Sequence, residues 1–158
     1  YAYLPPVYGT PHYDVREYDV DAPHSDMWQE IAPEGLRHVI EAFARYKLPM
    51  VISENGIGDD KDDRRALYLL EHLYVLGRAI ADGYDVRGYY YWTISDNFEW
   101  DNGLDARFGL FSVDFSRPDF PRTRTRGADV FEGVARSRRI DRALWERFWL
   151  PAYPVGRR

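Results

Sequence analysis

Two short stretches of this chain carry side chains whose types and spacing could do chemistry. The first is Ser53-Glu54-Asn55-Gly56, directly after the apolar run Met50-Val51-Ile52. A carboxylate at the end of an apolar strand is costly unless paired or hydrogen-bonded. In α/β folds the carboxyl edge of the sheet is also where loops converge into sites. Glu54 is therefore a candidate catalytic carboxylate; the competing reading is a solvated glutamate at a strand end. The second stretch runs from Trp92 to Trp100 and holds two Trp, Asp96, Asn97 and Glu99. That is the composition of a sugar site, because indole faces stack on pyranose C–H faces while carboxylates and amides bond hydroxyls. The competing reading is a core aromatic patch beside a solvated loop.

Other polar groups read as structural. Asp59, Asp60, Asp62 and Asp63 suit a solvated loop and a helix start, where free N–H groups favour negative charge. His12, His24, His38 and His72 lack metal-ligand spacing and read as surface histidines. The arginines at 117, 122, 124, 126, 136, 138 and 139 could suggest a basic binding tail. A net charge of −5 and the absence of a nucleic-acid motif favour a salt-bridged surface instead. The absence of cysteine excludes a disulfide scaffold, a thiolate zinc site and a cysteine nucleophile. Twenty-six aromatic residues, five of them Trp, argue against disorder. No apolar run approaches the roughly 18 residues of a membrane span. A cytoplasmic place is the default expectation.

The elements that must position these residues follow from periodicity. Residues 1–33 hold five prolines and read as loops with one short strand. Pro33 suits the first helical position, and Leu36, Val39, Ile40, Phe43 and Ala44 form one apolar stripe, so a helix is expected to Lys47. Met50-Val51-Ile52 reads as a strand buried on both faces. A second helix starts near Asp62, with Leu67, Leu70, Leu73, Tyr74, Gly77 and Ile80 on one face, and stops at Gly83. A second strand runs from Val86 to Trp92 or Thr93. Strand, helix and strand make one right-handed βαβ unit, and with the preceding helix an αβαβ core. A strand pair or edge strand is expected within Arg107–Phe115, and two short helices near 128–137 and 141–149. Two or three strands do not close an α/β architecture, which points to part of a larger barrel or open sheet.

The motifs resemble one family. Val51-Ile52-Ser53-Glu54-Asn55-Gly56 resembles the nucleophile motif of glycoside hydrolase family 1. Tyr91 to Trp100 resembles its Trp-Ser-Leu-x-Asp-Asn-Phe-Glu-Trp motif. Arg107-Phe108-Gly109-Leu110 with Val113-Asp114-Phe115 resembles its Arg-Phe-Gly-Leu-x-x-Val-Asp-Tyr stretch, and Ala32-Pro33-Glu34-Gly35-Leu36 its Tyr-Pro-Glu-Gly-Leu helix start. The order and spacing agree over about residues 26–115.

The resemblance implies an α/β fold: the C-terminal part of a (β/α)8 TIM barrel, with strands seven and eight and their flanking helices. One partial barrel domain would span 1–158, with a loop-rich lead-in over 1–32, the αβαβ core and site loops over 33–115, and a C-terminal loop and helices over 116–158. It implies hydrolysis of terminal β-D-glycosides with retention, on glucosides, fucosides or galactosides. Glu54 would be the nucleophile, Trp92 the aromatic wall and Glu99 an acceptor for sugar hydroxyls. Trp100 would donate its indole N–H to a neighbouring hydroxyl, and Phe108 would close the pocket edge. Asn102 and Gly103 would shape the loop. No cofactor or metal is required, and the expected partner is a small β-glycoside or oligosaccharide, with neither nucleic acid nor membrane.

The departures decide how far this reaches. Ser53 stands for the family's Thr and Thr93 for its Ser, each keeping a hydroxyl. The acid/base motif Thr-x-Asn-Glu-Pro is absent from the 158 residues, as are the strand-one Gln, the strand-three His and the Asn-Tyr-Tyr motif. A retaining pair must stand about 5–5.5 Å apart across the sugar, and no acid here fits the second role. Two readings follow: a β-glycosidase whose remaining barrel portion is a possible partner, and a non-catalytic partial barrel that holds sugar weakly through Trp92, Glu99 and Trp100.

Overall fold

The computed structural model describes residues 23–27 and 29–149, so most of the proline-rich opening, with His12, lies outside the described residues. Within 23–33 an isolated bridge joins His24 and Glu30. Helix α1, Pro33–Ala44, begins with its proline in the first turn and Glu34 beside it, where a missing N–H and a negative charge both suit the free donors. It ends three residues before Lys47. Ile40 is its one fully buried residue, and Val39 and Phe43 of the apolar stripe are exposed. Arg37 pairs with Glu41 at 2.7 Å and reaches Asp82 at 2.6 Å, tying α1 to the far end of the next helix.

Strands β1, Met50–Asn55, and β2, Val86–Tyr91, pair in parallel, with helix α2, Arg65–Ala81, crossing between them. Ile52 faces Tyr89 and Asn55 faces Tyr91, so Ser53 and Glu54 together oppose Tyr90 alone. This is a β-bulge, which re-aims the side chains around it. The expectation that β1 is buried on both faces fails. Met50 and Ile52 pack on the cluster of Ile40, Leu76 and Ala79, but Val51 is 54% exposed and Tyr90 64%. Among the described residues, helices cover only one face of this sheet.

Helix α2 buries a different face from the expected one. Ala66, Tyr68, Leu69, Leu70, His72, Val75, Leu76 and Ala79 are buried, whereas Tyr74, Gly77 and Ile80 are exposed. The helix is apolar over most of its circumference because α1 and a later helix pack on two sides of it. The stripe alone therefore does not identify its inner face. Gly83, at φ +98°, ends the helix. Its N–H donates to Ile80 O and the Tyr84 N–H to Ala79 O, a Schellman cap. His72 is buried, correcting the surface expectation.

Beyond β2, strand β3, Phe111–Val113, pairs antiparallel with β4, Arg122–Arg124. The second of these lies in a stretch whose prolines and arginines gave no strand signal. Helix α3, Arg126–Ser137, is capped by Thr125, whose hydroxyl accepts from Ala128 N–H and donates to Leu110 O at 2.7 Å. A short helix α4, Arg142–Leu144, runs into a π-helical turn, Trp145–Trp149. The larger core joins Leu69, Leu70, Tyr91, Leu110, Val130, Leu144 and Phe148. Among the described residues no helix is long and apolar enough to cross a membrane.

Candidate active site

The carboxyl ends of β1 and β2 meet at one edge. Trp92 N–H donates to Asn55 O at 3.0 Å, and Gly56 lies so close that a Cβ there would stand 1.7 Å from Trp92 O. Only glycine permits this approach. Glu54 is thus held beside Trp92 through the backbone. Its own side chain is exposed, and no hydrogen bond or ion pair joins it to another described residue. Next to it, Asn55 is buried. Its Nδ2 donates to the Tyr68 hydroxyl at 2.9 Å, and its Oδ1 accepts from the Tyr89 hydroxyl at 2.7 Å.

Trp92 donates its indole N–H to Glu99 Oε1 at 3.2 Å, and the Trp92–Thr93 peptide bond is cis. Glu99, expected to accept from sugar hydroxyls, here accepts from Trp92 and holds that indole by its edge. Glu99 is buried. Its loop turns back at Gly103, with φ +57°, whose carbonyl accepts from Glu99 N–H at 2.7 Å, while Asn102 N–H donates to Glu99 O at 2.9 Å. Phe108 is buried, and its ring stands 3.5 Å from where a Cβ on Gly58 would lie. The strand-end loop after Glu54 thereby touches Trp92 at one glycine and Phe108 at another. Trp100 is not gathered in: it is 83% exposed, its carbonyl accepts from Gly103 N–H at 3.0 Å, and no hydrogen bond joins its indole to another described residue.

Two buried carboxylates hold these loops. Asp96 accepts from Gly109 N–H at 2.7 Å and Val113 N–H at 3.0 Å and faces Arg107 Nη1 at 3.5 Å. Asp59 is the correction to the solvated-loop reading. It is fully buried, its Oδ2 accepts from Arg64 and Arg65 N–H at 3.0 and 2.8 Å, and it caps α2. Burial pushes its carboxyl above the ordinary aspartate value, against the pull of those N–H groups and of Arg65 and Arg64. Arg65 is itself buried and bonds Asp62 at 2.8 Å and Arg107 O at 2.8 Å. It runs under Gly127, where a Cβ would stand 2.6 Å from Arg65 Cγ.

Sequence reasoning missed Asp59, Arg65 and Arg107 as loop anchors and Asn55, Tyr68 and Tyr89 as a buried network. The sequence offered no usable signal for Asp59, because Asp62 and Asp63 stand nearer the helix and look like its cap, although the helix has no side-chain cap at its own N-cap residue. Burial also shifts three groups near this edge. It lowers His72 to about 4, pushes Tyr91 up to about 12, and holds Tyr89 well above the ordinary tyrosine value. Among the described residues no group of three His, Asp or Glu could hold a metal ion.

The geometry is that of the carboxyl edge of a parallel strand pair carrying a free carboxylate, an edge-held indole and a buried second acid. The sequence profile of Glycosyl hydrolase family 1 matches residues 5–140, and the chain belongs to that family. It is similar to the β-galactosidase of Sulfolobus acidocaldarius, 48% identical over 94 residues that cover 59% of this chain and 19% of that protein. It is also similar to the β-galactosidase of Pyrococcus woesei, 35% identical over 127 residues covering 80% and 24%. The β-glycosidase structure from Pyrococcus horikoshii superposes with a TM-score of 0.77 at 38% identity, over 84% of this chain and 31% of that one. The chain thus spans between about a fifth and a third of the length of these relatives, and its fold is part of their TIM barrel.

Proposed function

We propose that the polypeptide carrying this chain hydrolyses terminal non-reducing β-D-glycosyl residues with retention, with β1 and β2 as the seventh and eighth barrel strands. The observation that carries this is the shared strand edge: Glu54, exposed and unpartnered among the described residues, is tied by Asn55 O and Gly56 to Trp92, which Glu99 holds by its indole N–H. A nucleophile needs free lone pairs, and a sugar wall needs an uncovered ring face. In this reading a Glu54 carboxylate oxygen attacks the anomeric carbon as the C1–O bond to the leaving group breaks, giving a glycosyl-enzyme that water then hydrolyses. The charge beneath the ring also stabilises the oxocarbenium-like transition state. Glu99 and Phe108 frame the sugar, and Trp100, exposed, keeps its indole N–H free for a sugar hydroxyl.

The leaving oxygen needs a proton, and the family's Asn-Glu-Pro acid does not occur in this sequence. The remaining barrel portion is the partner that would supply it. The exposed Val51 and Tyr90 on the open sheet face, with Val39 and Phe43 on α1, support such a partner. The names of the relatives support galactosides or glucosides as the substrate class. The absent acid also favours a second reading, a sugar-holding partial barrel that cleaves nothing by itself.

The test is intact-mass spectrometry with an activated 2-deoxy-2-fluoro-β-glucoside, whose leaving group departs with little acid help. One added sugar mapped to Glu54, abolished in Glu54→Gln, is the expected result. Labelling only after the rest of the barrel is added would make the chain one half of a split enzyme. No labelling in either case would sink the nucleophile assignment.

A further inference from the structure

We propose that Tyr68 and Tyr89, acting through Asn55, are positioning residues for the Glu54 carboxylate. The proposal rests on Glu54 being the nucleophile. The argument begins with the bulge. Between the paired residues Ile52 and Asn55, β1 has one residue more than β2. Plain alternation would put Glu54 on the same side as Ile52, against the helices. Instead Ser53 and Glu54 are both exposed and the next residue turns in. A bulge leaves a residue outside the ladder, so the chain needs a fixed point immediately after it. Asn55 is that point.

Three groups hold Asn55 from three directions. Its carbonyl accepts from Trp92 N–H, its Nδ2 donates to the α2 tyrosine, and its Oδ1 accepts from the β2 tyrosine. The last two contacts use both ends of the amide, which fixes its rotation. The tyrosines are themselves held. Tyr68 stacks on His72 at 3.8 Å between ring centroids, and its carbonyl accepts from His72 Nδ1–H at 2.8 Å. Burial keeps Tyr89 protonated, so it remains a donor at working pH. Neither hydroxyl reaches the exposed Glu54 itself. Their effect is on where the backbone of residue 54 sits, and small misplacements of a reacting atom cost large factors in rate.

The experiment uses the 158-residue chain, or that chain with the rest of the barrel if labelling requires it. The rate of labelling by the activated 2-deoxy-2-fluoro-β-glucoside is followed over a concentration series, giving a maximal rate and a half-saturation concentration. Tyr68→Phe and Tyr89→Phe, each lacking one oxygen, should lower the maximal rate about ten-fold with half-saturation unchanged, and Asn55→Ala should lower it about a hundred-fold. Maximal rates within two-fold of the parent in both Phe variants would overturn the proposal, as would a loss confined to half-saturation. If the parent is not labelled at all, the nucleophile reading fails, and the clamp is judged by the 13C resonance of the Glu54 carboxyl, assigned with Glu54→Gln. A resonance that moves in Tyr89→Phe supports the positioning role, and one that stays overturns it.

Discussion

Glu54 and Asp96 are both carboxylates at the same edge of the sheet, one closing β1 and the other just past β2, yet their surroundings are opposite. Asp96 is buried beneath two backbone N–H donors and Arg107. Glu54 is exposed and has no partner among the described residues. The first arrangement uses up the lone pairs of a carboxylate to fix a loop. The second leaves them for a reacting atom. The molecule thus uses its buried charge to hold the loops that carry Trp92, Glu99 and Phe108 and leaves Glu54, the proposed nucleophile, outside that network. A carboxylate with many donors is an anchor, whereas one without donors at a well-fixed backbone keeps its lone pairs for an incoming group.

The largest effect expected of this contrast is at Asp96. Asp96→Ala leaves the Gly109 and Val113 N–H groups and the Arg107 guanidinium without their acceptor. Breaking such a buried set costs about 3–5 kcal/mol. Glu54→Gln, which removes no such contact, should change stability by less than about 0.5 kcal/mol. Urea unfolding of the two variants beside the parent measures both. Equal losses would end the division between anchor and reactive acid.

His72 tests the helix side of the same edge, where Tyr68 depends on a neutral ring. Its value in the folded chain is about 4, against 6.5 for the ordinary side chain, because burial disfavours the charged form. The folded value is the lower one, so below pH 6.5 the unfolded chain takes up a proton that the folded chain refuses. Stability is therefore complete above about pH 6.5 and falls until about pH 4. Between pH 7.5 and 4.5 the parent should lose about 2–3 kcal/mol through this group, and His72→Phe should not. The carboxylates of Asp85, Asp114 and Asp129, held low by Arg87, Ser116 and Arg124, act at lower pH; Asp59, pushed up by burial, acts in the opposite direction but alike in parent and variant, so the difference between the two isolates His72. An unchanged pH slope in the variant would show that His72 is not the buried group described.

How much of this was legible in the sequence depends on the range of the interaction. The αβαβ order, the Pro33 start and the Gly83 stop follow from local backbone chemistry and were readable. Glu54 and the Trp92–Trp100 stretch could be singled out as candidates because their residue types are unusual for a strand end. The roles of Asp59 and Arg65 were not, since a run of aspartates looks solvated until Arg107, far along the chain, supplies the carbonyl that closes over them. The inner face of α2 was misread because a helix packed on two sides has no single stripe. β4 was missed because Arg122 to Arg124 is exposed throughout and carries no alternation.

The smallest effect completes the comparison. Arg117 pairs with Asp119 through two hydrogen bonds at 3.1 and 2.9 Å, a geometry at least as good as that between Arg107 and Asp96. Both partners are more than half exposed, so water solvates them nearly as well apart, and two long side chains lose freedom in pairing. Arg117→Ala should therefore cost less than about 0.5 kcal/mol, although the pair it removes is the shorter one. The urea midpoint of this variant, set beside that of Asp96→Ala, isolates burial from bond length. A loss above about 1 kcal/mol would mean that the loop between β3 and β4 is held by its own ion pair, and that the sheet edge is not the only place where this chain depends on charge.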